Sequence, residues 1–182
     1  MTRGDFGNRL RNARDRANEH AEKQVGWSDY QRASELREAK HYEEARHYYE
    51  VALDACESRF GLNSVEGTRV RAGLALTLVH LGEYDRAIVM NQQNVEILST
   101  HKGSGSEEAM RAQLSLGFAK FCLAQTSHSE PIMEEALSDV RQATEWFRSC
   151  YDPKNRDRIS AETQLKIIVD TREQWAGREE SN

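Results

Sequence analysis

The segment "EAKHYEEA" at residues 38–45 is echoed by "HLGEYDRA" at residues 80–87, so that Tyr42 matches Tyr84 and Ala45 matches Ala87 at a common offset of 42. The same offset relates Arg69 to Arg111, Leu74 to Leu116, Ala75 to Gly117 and Leu81 to Leu123. Further along it becomes 49: Ala87 matches Ala136, and Leu116 matches Leu165 in the last apolar segment. One insertion of seven residues, expected to form the loop "QTSHSEP", accounts for every later offset. A chain with this period is built from one unit used three times. Each unit buries its apolar face only by stacking on the next.

Each unit reads as two helices joined by a turn. Only Pro131 and Pro153 punctuate 182 residues, and long stretches are rich in Ala, Glu, Leu, Arg and Gln, which favours helix. No run of alternating β-branched residues suggests a strand. The first pair is expected over 28–40 and 42–59. Asn63, with Glu66 three residues on, has the pattern of a capping box that starts the next helix. That helix ends near His80, at Leu81 and Gly82, and its partner covers about 83–100. Ser106 is placed to cap the third pair, whose second helix is expected over 132–150. The chain therefore divides into an N-terminal arm, 1–25, one domain, 26–175, and a polar tail, 176–182. Within the domain the repeats cover 27–61, 66–103 and 107–152, with a capping helix at 156–175. The fold class is all-α, an α-α superhelix of antiparallel helix pairs.

Several functional classes lose support from composition. No apolar run approaches the roughly 18 residues a membrane helix needs. The first residues lack the apolar core of a secretory signal, and Asp5, Asp15 and Glu19 argue against a transit peptide. Cys56, Cys122 and Cys150 are odd in number and far apart, which speaks against a disulfide framework or a zinc knuckle. A reducing, cytoplasmic setting is the expectation. The net charge of −5 disfavours polyanions, although residues 1–24 carry six Lys or Arg against four Asp or Glu. The segment "RLRNARDR" is a candidate contact for nucleic acid or an acidic partner, but it has no aromatic residue to stack on bases. Residues 9–25 read as a helix with a narrow stripe of Leu10, Ala13, Ala17 and Ala21, its charges forming an ordinary solvated face.

No HExxH, P-loop, GxSxG or CxxC motif occurs. The glycines of "GSGSEE" follow a helix rather than a strand, as a linker does. His41 and His47 are six residues apart, a poor spacing for a metal on one helix face. The acidic pairs Glu43–Glu44 and Glu134–Glu135 suit helix starts, where the helix dipole favours negative charge. No catalytic residue, metal or cofactor is expected.

These units resemble tetratricopeptide repeats. The small residues Ala33, Ala75 and Gly117 recur midway along the first helices, Tyr42 with Ala45 and Tyr84 with Ala87 follow the turns, and Ala52 and Ala143 sit two turns on. The length is similar to the longer repeats of kinesin light chains. The third unit departs from the pattern with Met133 in place of the aromatic, and no unit has the proline that often ends the second helix. The resemblance implies that the first helices line a concave groove where a partner protein binds, so the expected function is peptide or helix recognition without catalysis. A self-associating scaffold, through Trp175 or the first helix, or a chaperone subunit, is the alternative.

Arg69 and Arg111 share one place in adjacent units. Helices pack about 8–10 Å apart, so two guanidinium groups there can converge on one carboxylate or phosphate, unless they pair instead with Glu66 and Glu108. Tyr30, Leu76, His80, Leu114 and Phe118, with Cys122, are expected on or near the same surface. The candidate partner-binding set is thus Tyr30, Arg69, Leu76, His80, Arg111, Leu114 and Phe118, suited to a protein or peptide ligand with acidic and apolar groups.

Asn91 and Asn94 stand where the flanking units have Tyr49 and Ala52, or Val140 and Ala143, and Lys120 stands where Leu78 and Val169 sit. All three polar residues fall at packed positions. They are expected either to form a hydrogen-bonded network or, for Lys120, to extend to water.

Overall fold

The computed structural model describes residues 26–179. The arm at 1–25, including the helix expected over 9–25, lies outside the described residues. Among the described residues seven helices follow in order: α1 Trp27–Glu38, α2 Tyr42–Phe60, α3 Val65–Leu81, α4 Tyr84–Lys102, α5 Glu107–Ser127, α6 Glu130–Cys150 and α7 Arg156–Glu179. Each packs on the one before it, and α1, α3, α5 and α7 also touch in succession. The odd-numbered helices therefore form one layer and the even-numbered helices the other, as in an α-α solenoid.

The repeat is visible in the backbone itself. α2 ends at Gly61 with φ 90° and ψ 159°, and α4 ends at the equivalent Gly103 with φ 94° and ψ 144°. That combination is open essentially to glycine alone. In both turns the glycine carbonyl accepts the N–H of the serine that begins the next helix, Ser64 at 3.2 Å and Ser106 at 3.0 Å. Ser106 also caps α5 through its side chain, accepting from the Ala109 N–H at 3.3 Å. The start of α3 differs from expectation. Ser64, not Asn63, occupies the N-cap, and no side chain bonds there. The turns inside the first two units match as well, with Lys40 at φ 63° and Gly82 at φ 79°.

The seven-residue insertion is not a loop. α5 has 21 residues where α3 has 17, and it runs four residues past Leu123, the match of Leu81. α6 begins three residues earlier, relative to Ala136, than α4 does relative to Ala87. The turn itself stays two residues long, His128 and Ser129 against Gly82 and Glu83. Two helices each grown by about a turn leave no new backbone groups unpaired, whereas a longer loop would. α7 covers the added height: Trp175 stacks on His128 with ring centroids 5.7 Å apart, and Arg172 pairs with Glu134.

The core is in two main parts. One joins Leu36, Tyr49, Leu53, Leu74 and Leu78 across α1–α4, and the other joins Leu114, Phe121, Met133, Val140, Phe147 and Ile168 across α5–α7. Between them, α4 presents Asn91 and Asn94 at the α3–α5 seam. The expected network of Asn91, Asn94 and Lys120 does not form, because each finds partners elsewhere. Asn94 donates to the Thr68 carbonyl at 3.1 Å and accepts from Arg71 at 3.2 Å. Asn91 donates to the Ser115 carbonyl at 3.3 Å. Lys120 reaches Asp139 at 2.8 Å and Glu135 at 3.0 Å on α6. Burial alone would depress the Lys120 ammonium, but these two carboxylates hold it above its ordinary value.

Candidate functional site

A cleft of about 420 Å³ opens on the odd-numbered face, lined by Tyr30 and Arg37 of α1, Arg69, Gly73, Leu76 and Val79 of α3, Ser115 and Phe118 of α5 and Gln164 of α7. Its floor is reached by Asn91 of α4. All four first-layer helices thus contribute to one surface. A second cleft, of about 620 Å³, continues towards the helix starts, and Arg69, Ala72 and Ser115 belong to both.

Four of the seven expected residues meet in the first cleft: Tyr30, Arg69, Leu76 and Phe118. Tyr30 stacks on Trp27 at 5.2 Å and meets the buried ring of Tyr49 edge-on at 5.8 Å. The Arg69 guanidinium lies 5.2 Å from the ring centroids of both Trp27 and Tyr30. Its Nε donates to the Tyr30 hydroxyl at 3.2 Å. Leu76 is 39% exposed, and Phe118 is half-buried against the second core.

The other three lie elsewhere or are occupied. Leu114 is 8% exposed and packs within the core of α5–α7, so it has no surface to give a ligand. His80 is exposed at the end of α3 and stacks on Tyr42 at 4.5 Å, outside the cleft. Arg111 shares the second cleft with Arg69, but its guanidinium is bound by Glu107 at 2.5 Å and Asp157 at 2.6 Å. Burial opposes the Arg111 charge, yet the Asp157 and Glu107 carboxylates hold its pKa above the usual value. The two-arginine clamp of Arg69 with Arg111 is therefore not available as a pair of free cations. The expected alternative, pairing with Glu66 and Glu108, is not the arrangement either, since Glu108 pairs with Lys102.

The cleft holds a different pair. Arg37 lines it together with Arg69, and the Arg37 guanidinium lies 6.0 Å from the Tyr49 ring centroid. Neither Arg37 nor Arg69 makes an ion pair among the described residues, although Arg46, Arg71, Arg86, Arg148 and Arg158 all do. Glu35 and Glu38 stand on the outer rim beside them. An arginine laid on an aromatic face keeps its charge and donors while losing rotamer freedom in advance. Arg37 escaped the sequence reading because its match in the second unit is Val79, so the period gave no signal.

Among the described residues no three His, Cys, Asp or Glu side chains could hold a metal ion, and no helix is long and apolar enough to cross a membrane. No disulfide joins Cys56, Cys122 and Cys150.

No family model matches the chain, and no curated protein matches it in sequence. Among solved structures, BtubC (BKLC) from P. vanneervenii is similar, with a TM-score of 0.67 and 16% identity over 80% of this chain and 55% of that one. The chain therefore spans about 55% of the length of that protein. At this identity the likeness is one of fold, the α-α solenoid described above for this chain.

Proposed function

We propose that the protein is an interaction module whose first-layer cleft holds a peptide segment of another protein, one carrying an acidic group beside apolar side chains. The work is recognition rather than catalysis, in a reducing cytoplasm. The observation that carries this reading is the juxtaposition of Arg37 and Arg69, uncommitted to any carboxylate among the described residues, with Leu76, Val79 and Phe118 in one cleft. Guanidinium groups bind a carboxylate through two parallel hydrogen bonds. Their prior placement over Tyr49, Trp27 and Tyr30 lowers the ordering cost of binding.

The test uses peptides selected from a random nonapeptide library on the full 182-residue chain, labelled and titrated by fluorescence anisotropy. Arg69→Ala and Leu76→Glu should each weaken binding about tenfold or more. Val89→Glu, at an exposed position on α4 outside the cleft, should leave it unchanged. Equal affinity for all four proteins would reject the cleft as the binding surface.

A further inference from the structure

Where the odd-numbered helices start, the first two units differ at equivalent positions. A pocket of about 190 Å³ in the first unit is walled in part by Gly26, Trp27, Tyr30, Phe60, Glu66 and Arg69. Its counterpart 42 residues on is the second cleft, where Trp27, Tyr30 and Phe60 are replaced by Arg69, Ala72 and Lys102. Leu62, in the turn beyond Phe60, is replaced by Ser104. Trp27 is 36% exposed and Leu62 68%. The second unit folds with polar or small residues at these places, so stacking does not require the apolar ones. An apolar rim on a charged surface marks a surface that something covers.

The chain that reaches this rim is the N-terminal arm. Residues 1–25, outside the described residues, lead directly into Gly26, itself part of the pocket wall. Gly26 takes φ 70° and passes so close to α2 that a Cβ would lie 2.8 Å from the Ala52 carbonyl oxygen. The arm therefore joins the domain at the rim and against α2. Its Ala13, Ala17 and Ala21 repeat the spacing of Ala45, Tyr49 and Leu53, the buried stripe of α2. As a helix the arm places Ala21 and Ala17 about 8 and 14 Å before Gly26. That is within the span of the rim, since neighbouring helices pack about 8–10 Å apart. Charge is complementary as well: the arm is more basic than acidic, the rest of the chain is acidic, and Glu66 stands in the pocket wall. A tethered segment acts at an effective concentration on the order of millimolar, so modest contacts suffice.

We propose that residues 9–25 dock as a helix on this rim, with the alanine stripe against Trp27, Phe60 and Leu62. The small side chains let the helix approach the large ones closely, and its basic residues face the chain's own acidic surface. The rim of the first unit is apolar because it is an internal docking surface, whereas that of the second is left to solvent.

The experiment is hydrogen–deuterium exchange of the full chain, read by mass spectrometry. Amides of residues 9–25 should exchange at least about tenfold more slowly than in a synthetic peptide of residues 1–25. Trp27→Arg with Leu62→Ser copies Arg69 and Ser104 into the first unit. It should bring the arm to the peptide rate and leave the protection of α3–α7 unchanged. Ala17→Gln with Ala21→Gln retains good helix formers while adding bulk, and should have the same effect. Asn12→Gln, on the opposite face of the arm, should have none. An arm that exchanges at the peptide rate in the wild type, or that keeps its protection in either double variant, overturns the proposal. Protection that rises between about 1 and 100 µM protein would place the arm on a second copy and overturn docking within one chain.

Discussion

A Cβ placed on Gly73 would lie 2.5 Å from Tyr49 Cε1 and 2.9 Å from its hydroxyl oxygen. Tyr49 is fully buried, and through Ser34 it ties α2 to α1 while its ring spans to α3. Gly73→Ala should therefore destabilise the chain even though alanine is the better helix former. Overpacking of this kind costs about 1–3 kcal/mol, against about 1 kcal/mol of helix propensity gained. In a Tyr49→Leu background, which removes the ring edge, the same substitution should be neutral or stabilising. Urea midpoints for the four proteins of this cycle measure the coupling; additivity would show that the ring and Gly73 do not compete for space.

Arg71 is 1% exposed and binds Glu57 at 2.8 Å, the Leu62 carbonyl at 2.9 Å and Asn94 at 3.2 Å. It joins α2, the α2–α3 turn and α4 through one side chain. Arg71→Leu leaves the Asn94 oxygen without its donor and Glu57 partly buried without its cation. Since Glu57 retains 22% side-chain exposure, it can turn towards water, and a loss of about 2–4 kcal/mol is expected. Thermal or urea unfolding checks this. A change below about 0.5 kcal/mol would match an ordinary surface substitution and contradict the assignment.

Glu83 receives Arg86 at 2.5 Å and Arg46 at 2.6 Å. Hydrogen bonding from Arg86 first, and then from Arg46, holds its carboxyl below the usual range, against the opposing effect of burial. A depressed folded-state pKa gives stability that is present above the unfolded carboxylate value of about 4.3 and lost as pH falls through the folded value. Because the group is partly solvated, the contribution is modest, about 0.5 kcal/mol. Glu83→Gln should lower the urea midpoint at pH 7 and flatten its decline from pH 5 to pH 3 relative to wild type. Parallel pH profiles would exclude this linkage.

The last helix should close the stack rather than recruit another copy. Leu114, Gly117 and Phe121, buried in α5, correspond in the repeat to Thr163, Lys166 and Asp170, all exposed on α7. Trp175, a candidate for self-association, is instead stacked on His128 within the chain. Sedimentation equilibrium at tens of micromolar should report a monomer near 20.9 kDa. A dimer that dissociates on Ile167→Asp would show that the exposed isoleucines Ile159 and Ile167 outweigh these polar positions.

Much of the fold was legible because helical hairpins are local objects. Gly82, Ser106 and the Tyr–Ala pairs mark helix ends and docking points within a few residues of themselves. The insertion was legible as an offset but not as helix, because polar residues such as Gln125, Thr126 and Ser127 extend a helix as readily as they form a turn once α7 packs beside it. The cleft was legible in part. Arg69, Leu76 and Phe118 follow from the period, while Leu114, one turn away from Phe118 on α5, rotates into the core.

The sequence by itself determined the unit, its length, its stacking and the equivalence of positions at offsets of 42 or 49, since these depend on periodic patterns that each hairpin must satisfy. Only the tertiary structure decided what equivalent positions do. Arg69 and Arg111 are matched in the repeat, yet Arg111 is neutralised by Asp157, far along the chain on α7, whereas Arg69 rests on two aromatic rings with no carboxylate bound among the described residues. Tyr49 and Asn91 are matched too, but one fills the gap between first-layer helices and the other leaves it open. Charge pairing and void filling depend on neighbours brought from distant parts of the chain, and a period does not specify those neighbours.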